Sequence, residues 1–148
     1  MSYKYIDPRN VRHREQLEIM ERLEAEGKDP LDPEFINQPI MFETDFWFVC
    51  ANKFPYEEIK HQFLIVARGP VYKIEDMSPE MWDDLRKTWL RLQEGYGLPG
   101  GGLCFRFGDT FYSGASLTRL HVHLIIVNEG QKTRFNIGGN VKQKEDLL

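Results

Sequence analysis

Apolar and other side chains alternate along residues 119–127, Arg-Leu-His-Val-His-Leu-Ile-Ile-Val. A period of two is typical of a β-strand, in which successive side chains point to opposite faces. One face is predicted to carry the apolar set Leu120, Val122, Leu124 and Ile126. The other carries Arg119, His121 and His123, the two histidines about 7 Å apart along the strand. Such a face suits anion binding, metal binding or nucleophilic chemistry near neutral pH, or it is a sheet surface with chance histidines.

Composition limits the classes of protein to which this strand can belong. The 148 residues suit one domain, and the net charge of −4 provides no basic field for a nucleic acid polymer. No apolar run reaches the length of a membrane span, and the first residues lack the apolar core of a signal peptide. Cys50 and Cys104 both lie in strand-like runs, which predicts two buried thiols in a reducing cytoplasm rather than a disulfide framework. We therefore expect a cytoplasmic protein without a membrane partner.

The rest of the chain predicts an α+β domain with a mainly antiparallel sheet of about five strands. A helix is expected over 9–26, and a connector with three prolines follows over 28–39. Ser78, Pro79 and Glu80 are a helix start, and this long helix is expected to bury Trp82, Leu85, Trp89 and Leu92. The strands are predicted at 40–43, 46–51, 62–68, 103–107 and 119–127, with a further short one near 133–137.

The predicted domain organisation has three parts. Residues 1–39 form an N-terminal helix and Pro-rich connector packed on the domain, residues 40–137 form the domain, and residues 138–148 form a mobile polar tail. Gly100-Gly101-Gly102 is a turn rather than a phosphate loop, because a strand and not a helix follows it.

The histidine strand, with Gly114 and Ser116 before it, resembles the motif of the histidine-triad (HIT) family of nucleotide hydrolases and transferases. That motif is His-φ-His-φ-His-φ-φ, with φ apolar, after a Gly-Gln-Ser/Thr step. The segment from His61, His-Gln-Phe-Leu-Ile-Val, is similar to the family's Gly-His-x-Leu-Val strand, and Asn52 falls at its ribose-contacting turn. The resemblance covers about residues 40–127 and implies a HIT-like fold.

Only two motif histidines are present, so the register has to be chosen. If His121 and His123 are the second and third, Gly114 and Ser116 fall at the family spacing and Arg119 replaces the first histidine. If they are the first and second, Ile125 takes the third position and the Gly-x-Ser step lies two residues too far upstream. We adopt the first register, which puts His121 at the nucleophile's position.

The resemblance then implies a mechanism that needs no cofactor or metal. His121 attacks the α-phosphate of a mononucleotide conjugate or dinucleoside polyphosphate, such as a diadenosine polyphosphate, to give a nucleotidyl-histidine. His123 assists, and substrate binding falls to Ser116, Gly114, Arg119, His61 and Asn52. The family also implies a homodimer.

Three departures from the family pattern keep other functions open. Arg119 adds a bidentate phosphate donor, Ala115 replaces the usual Gln, and Gly108 stands where the family often has a phosphate-contacting Asn or Gln. Arg106 or Asp109 could supply that contact instead. The alternatives are a nucleotidyl transferase or phosphorylase, a nucleotide-binding protein that does not cleave its ligand, and a metal site on the two histidines, for which the sequence offers no third ligand.

Overall fold

A five-stranded antiparallel sheet forms the centre of the fold in the computed structural model, which describes residues 3–36, 38–52, 55 and 58–139. The strands are β1 (Ile40–Glu43), β2 (Trp47–Ala51), β3 (Ile59–Ala67), β4 (Gly102–Phe105) and β5 (His121–Val127). Their order in the sheet is β1-β2-β3-β5-β4. The helices are α1 (Arg14–Ala25), α2 (Pro79–Tyr96) and the single turn α3 (Thr110–Ser113). The predicted α+β class is confirmed.

Strand β5 is the histidine strand, and it lies between β3 and β4 with antiparallel hydrogen bonds to both. Its apolar set packs in the main core against α2, as the alternation predicted. The opposite face is buried as well, since six of the seven residues of β5 are buried. The histidine face is therefore covered by other parts of the chain.

Helix α2 starts where the sequence predicted. The Ser78 hydroxyl accepts a hydrogen bond from the Met81 amide, and Gly97 adopts a left-handed conformation at the other end. The predicted buried face was wrong for both tryptophans, because Trp82 is 42% and Trp89 36% exposed. The buried stripe is instead Met81, Leu85, Thr88 and Leu92, which leaves each tryptophan one position to the side.

Two segments cover the histidine face: Phe135, whose ring centroid lies 5.1 Å from that of His123, and residues 3–36, which we call the N-terminal arm. It contains a 3₁₀ turn at Pro8–Asn10, an extended stretch over 11–13, and then α1, which begins five residues later than predicted. The 3₁₀ turn is stabilised by the Asp7 carboxylate and by a proline at its first position, so the chain turns before the helix begins. Arm side chains pack in two small clusters, one of which includes Phe48, Leu64 and Val66 of the sheet.

Residues 128–139 return to the loop before β5, where the Gly139 amide donates to the carbonyl of Phe111, without forming the short strand predicted near 133–137. The mobile tail predicted for 138–148 lies, from residue 140 onward, outside the described residues. No helix in the described part of the chain has the length and apolarity that crossing a membrane requires.

Candidate active site

Two histidine rings lie side by side under the N-terminal arm. The ring centroids of His121 and His123 are 5.1 Å apart, and the residues are only 9% and 7% exposed. Both line a cleft whose wall also includes three of the predicted site residues, Ser116, Gly114 and Asn52. The structure therefore brings together five of the seven residues that the sequence singled out.

The backbone of β5 orients His121. Its Nδ1 lies 2.8 Å from the carbonyl oxygen of Arg119, and a carbonyl can only accept, so Nδ1 carries the proton. The lone pair of a neutral ring is then on Nε2, the nitrogen available as a nucleophile. Burial lowers the pKa of His121 below its ordinary value, and the charge of Arg106 acts in the same direction.

His123 is held in the opposite tautomer. The side-chain nitrogen of Gln62 lies 3.0 Å from its Nδ1, and an amide nitrogen can only donate, so Nδ1 accepts and Nε2 carries the proton. Burial holds the pKa of His123 well below its usual range, reinforced by the neighbouring His121 and by Arg106 and Arg12. The cleft thus contains one imidazole with its lone pair on Nε2 and one with its N–H on Nε2.

The loop before β5 is shaped by one glycine. Gly114 has φ +80°, a conformation that side chains rarely adopt, and a Cβ there would lie 2.6 Å from the carbonyl oxygen of Gly138. Its neighbour Ala115, which replaces the family's Gln, is buried and does not line the cleft. Gly114 thus permits the loop and residue 138 to meet beside Ser116 in the cleft wall.

Arg119, the predicted phosphate donor, is paired with the N-terminal arm. The residue is 5% exposed, and its Nε donates to Oδ2 of the equally buried Asp29 at 3.0 Å. Asp32 lies 3.8 Å from the same guanidinium, and the carbonyls of Leu31 and Ala67 lie at 3.5 Å. The long arginine side chain therefore reaches the arm, where carboxylates neutralise it, and it is absent from the cleft wall.

His61, predicted to bind substrate, also lies away from the cleft. Its ring stacks on Phe63 at 5.4 Å and meets Tyr96 of α2 at 5.6 Å, on the helix side of the sheet. The family pattern His-x-Leu places its histidine two residues before a leucine, and the residue two before Leu64 is Gln62. Because successive side chains of a strand point to opposite faces of the sheet, His61, one residue before that position, lies on the other face.

Several site residues were missed by the sequence interpretation. Gln62 would have been found from the register of β3, whereas Asn10, Arg12 and Gln16 of the arm carry no motif. Arg106, suggested as a compensating residue, does line the cleft; Asp109 does not, and instead caps α3. The Arg106 guanidinium lies 3.9 Å from the Phe135 ring and donates from Nε to the carbonyl of Asn136 at 3.0 Å.

A second, mostly apolar cavity adjoins the cleft. The two share Gln16, Asn52, Leu64 and Leu117, so they are continuous along the sheet under the arm. The remaining wall of the second cavity comprises Ile19, Met20, Leu23, Pro30, Leu31, Phe35, Ile36 and Gln38. Polar groups and an apolar recess thus lie side by side.

The structure also locates the two cysteines and the side chains that could bind a metal ion. Both cysteines are free, and burial raises the pKa of Cys50 to about 11, so it is protonated at neutral pH. Among the residues that the structure describes, no group of three or more His, Cys, Asp or Glu side chains is arranged to hold a metal ion.

Comparison with known structures identifies the architecture. A HIT family hydrolase from Clostridium thermocellum has a TM-score of 0.54 at 19% identity, covering 67% of this chain and 88% of its own. A HIT family hydrolase from Legionella pneumophila has 0.52 at 20%, covering 70% and 92%. A histidine triad nucleotide-binding protein from Candida albicans has 0.56 at 14%, covering 76% and 82%. The chain therefore has the histidine-triad fold. No protein-family model matches the sequence, and no curated protein does.

Proposed function

We propose that the protein is a nucleotide hydrolase that attacks the α-phosphate of a mononucleotide conjugate or dinucleoside polyphosphate through His121. The observation that carries the proposal is the pair of opposite tautomers in one cleft. His121 offers a lone pair on Nε2, and His123 offers an N–H on the corresponding atom. A nucleophile next to a donor for the phosphoryl oxygens is what a two-step displacement at phosphorus requires.

In the first step, the Nε2 lone pair of His121 forms a bond to the α-phosphorus and the bond from phosphorus to the leaving oxygen breaks. The leaving group takes that electron pair and departs as an anion. In the second step, the oxygen of water bonds to phosphorus, the P–N bond breaks, and its electrons return to Nε2. Water's two hydrogens end on the nucleoside monophosphate and on the leaving group, or are released as protons according to pH, so the sum is one hydrolysis.

The cleft and its neighbouring cavity match the two halves of a nucleotide. The phosphate belongs beside His121, His123, Ser116 and Gly114, where the ring N–H and loop groups converge. The nucleobase belongs in the apolar cavity, and Asn52 lies in the wall shared by both, where a ribose would pass. The likeness to a nucleotide-binding protein of the same fold supports this assignment.

Two alternative functions would use the same cleft. A phosphorylase would use inorganic phosphate in place of water in the second step and release a nucleoside diphosphate. A sensor would bind the nucleotide without cleaving it, an alternative that Ala115 and the exposed Gly108 keep open because neither offers a side-chain donor to the leaving group.

Two further features of the proposal concern assembly and location. We propose a homodimer formed about the free edge of β4, beside which the exposed Trp82 packs edge-on against Phe105 at 5.9 Å. Such a contact would cover both the edge of β4 that pairs with no other strand in the described part of the chain and an exposed aromatic side chain. The two free thiols support a reducing compartment, the cytoplasm.

The test is product analysis with diadenosine polyphosphates and an aminoacyl-AMP analogue, with and without added phosphate. Wild-type protein is expected to release a nucleoside monophosphate, whereas His121→Asn should release none. His61→Asn is the matched control, because His61 lies outside the cleft. A nucleoside diphosphate formed only with added phosphate would indicate the phosphorylase, and binding without release would indicate the sensor. Equal release by wild type and His121→Asn would exclude His121 as the nucleophile.

A further inference from the structure

One carboxylate of the N-terminal arm is buried against the histidine strand. Asp29 is 6% exposed, and its Oδ2 accepts hydrogen bonds from Nε of Arg119 at 3.0 Å and from the hydroxyl of Tyr72 at 3.2 Å. Its Oδ1 accepts from the Leu31 amide at 2.9 Å. Donors from the arm, from the residue two before β5 and from the segment after β3 thus fix the position of this carboxylate.

Arg119 connects that carboxylate to His121. Its side chain donates to Asp29, while its backbone carbonyl accepts the Nδ1 proton of His121 at 2.8 Å. The guanidinium also lies 3.5 Å from the carbonyls of Leu31 and Ala67. A displacement of the arm at Asp29 would therefore be transmitted, through one residue, to the carbonyl that orients the ring of His121.

The charges around His121 act in opposite directions. Burial lowers the pKa of His121, and the hydrogen bond to the Arg119 carbonyl raises it. The charge of Arg106 lowers this pKa further, whereas that of Asp29 raises it. Asp29 is thus a carboxylate that favours the charged form of the ring. The titratable and charged groups around the ring are Asp29 in the arm, Tyr72 after β3, Arg106 after β4, and Arg119 and His123 in its own segment.

The proposed reaction creates a positive charge on this ring. When Nε2 of His121 bonds to phosphorus and Nδ1 keeps its proton, the imidazole becomes an imidazolium. A buried ring carries such a charge at a cost unless nearby groups oppose it. The Arg119 carbonyl and the Asp29 carboxylate both favour the charged ring, and Asp29 also neutralises the guanidinium that would otherwise repel it.

We infer that Asp29 is a positioning residue for His121: acting through Arg119, it fixes the carbonyl that orients the ring, and its charge supports the imidazolium. This inference rests on the proposed function and gives the N-terminal arm a part in the reaction itself. Asp32 has no equivalent part, because its carboxylate lies 3.8 Å from the guanidinium and is 40% exposed, so water screens its charge.

The test is steady-state hydrolysis of one diadenosine polyphosphate, combined with an NMR titration of His121. We expect Asp29→Asn to lower kcat about tenfold, which is about 1.4 kcal/mol in the barrier, and to leave KM within about twofold. Asp29→Glu keeps the charge and should restore most of kcat. The pKa of His121 should fall below the wild-type value in Asp29→Asn, because a charge that favours the imidazolium is gone.

Asp32→Asn is the matched control, because it makes the same chemical change in the same arm, next to the same guanidinium. It should leave kcat within about twofold and the pKa of His121 unchanged, since an exposed ion pair contributes little. A loss of kcat in Asp32→Asn as large as that in Asp29→Asn would overturn the particular role of Asp29. Equal losses in Asp29→Asn and Asp29→Glu, with an unchanged pKa of His121, would reduce Asp29 to a structural residue.

The double variant Asp29→Asn, Arg119→Gln decides the question if Asp29→Asn does not fold. It leaves no uncompensated buried charge, so it should be more stable than Asp29→Asn. It also lacks the Asp29 charge, so kcat and the pKa of His121 should both lie below the wild-type values. Wild-type values of both in this variant would overturn the inference and leave the proposed function intact. No nucleotide release by the wild type would overturn the proposed function itself.

Discussion

Gln62 donates its side-chain amide to Nδ1 of His123 at 3.0 Å, from the strand next to the one that carries the histidine. The bond leaves the ring N–H on Nε2. The neighbouring His121 has the opposite arrangement, because its Nδ1 donates to a backbone carbonyl. Two adjacent imidazoles of the same strand are thus made chemically different by their partners alone.

Replacing Gln62 with Glu should reverse the tautomer of His123. A carboxylate accepts, so the ring would place its proton on Nδ1 and withdraw it from Nε2. We expect kcat/KM to fall on the order of tenfold, because one buried hydrogen bond left unmade costs about 1 to 3 kcal/mol. The ¹⁵N chemical shifts of Nδ1 and Nε2 of His123 report the change directly.

Gln93→Glu is the matched substitution on the exposed surface of α2, and it should alter neither activity nor the histidine shifts. Unchanged ¹⁵N shifts in Gln62→Glu would show that Gln62 does not set the tautomer.

The lowered pKa values of His121 and His123 predict how activity and stability depend on pH. Burial is the main cause for both rings, and the charges of Arg106 and, for His123, Arg12 act in the same direction. Both rings therefore stay neutral at pH values just below 6.5, the ordinary pKa of histidine. The acid limb of the pH profile of kcat/KM should accordingly lie below pH 6.5. Stopped assays between pH 4.5 and 8 locate the limb.

Stability should fall in the same window. Once the pH drops below about 6.5, the unfolded chain binds protons at these two positions and the folded chain does not, so the free energy of unfolding decreases. Above that pH the contribution is constant. Urea unfolding at pH 7.5, 6.5 and 5.5 measures the slope, and a His121→Gln, His123→Gln double variant should flatten it. An equally steep slope in the double variant would assign the effect to other groups.

The sequence predicts a structural feature well when the residues that cause it are neighbours along the chain. The alternation of β5 and the Ser78-Pro79 start of α2 are local, and both were confirmed. The direction in which the Arg119 side chain points has no local cause, since its partner Asp29 lies 90 residues away and becomes a neighbour only after folding. The burial of the histidine face has the same origin, because the arm that covers it has no motif.

Arg119 and Asp29 form a buried ion pair whose loss should affect stability. Removing one partner of such a pair leaves an uncompensated buried charge, which costs about 3 to 5 kcal/mol. Arg119→Gln and Asp29→Asn should each lower the free energy of unfolding by roughly this amount, and the double variant by less than the sum. Arg119→His, which restores the family's residue, should be equally destabilising because the shorter ring cannot replace the guanidinium contacts.

The exposed pair Arg86 and Asp83 on α2 is the control for these substitutions. Neutralising either residue should change the free energy of unfolding by less than about 1 kcal/mol. Strictly additive losses for Arg119→Gln and Asp29→Asn would show that the two residues do not stabilise each other.

The proposed dimer predicts that a charge at Trp82 prevents association. Trp82 is exposed beside β4, so Trp82→Lys should place two like charges near the two-fold axis and shift the protein to monomer. Sedimentation velocity across a concentration series measures the mass. Tyr112→Lys, a change at a more exposed aromatic residue of α3, should leave the dimer intact. A wild-type protein that stays monomeric at high concentration would remove the proposal.

Gly114 and Gly97 separate the two reasons for which a position can require glycine. Both have a positive φ, of 80° and 58°, but only at Gly114 would a Cβ meet another atom, the carbonyl oxygen of Gly138 at 2.6 Å. Gly97→Ala should cost about 1 to 2 kcal/mol of stability, the strain of a left-handed residue with a Cβ.

Gly114→Ala should cost more than Gly97→Ala, because the loop or residue 138 must also move by several tenths of an ångström. Gly114 and Gly138 both contribute to the cleft wall, whereas Gly97 does not. Nucleotide affinity should therefore fall in Gly114→Ala and remain unchanged in Gly97→Ala. Urea unfolding and calorimetry on the two variants provide the comparison. Equal losses of stability with unchanged affinity in both would mean that the approach of Gly114 to Gly138 has no part in shaping the site.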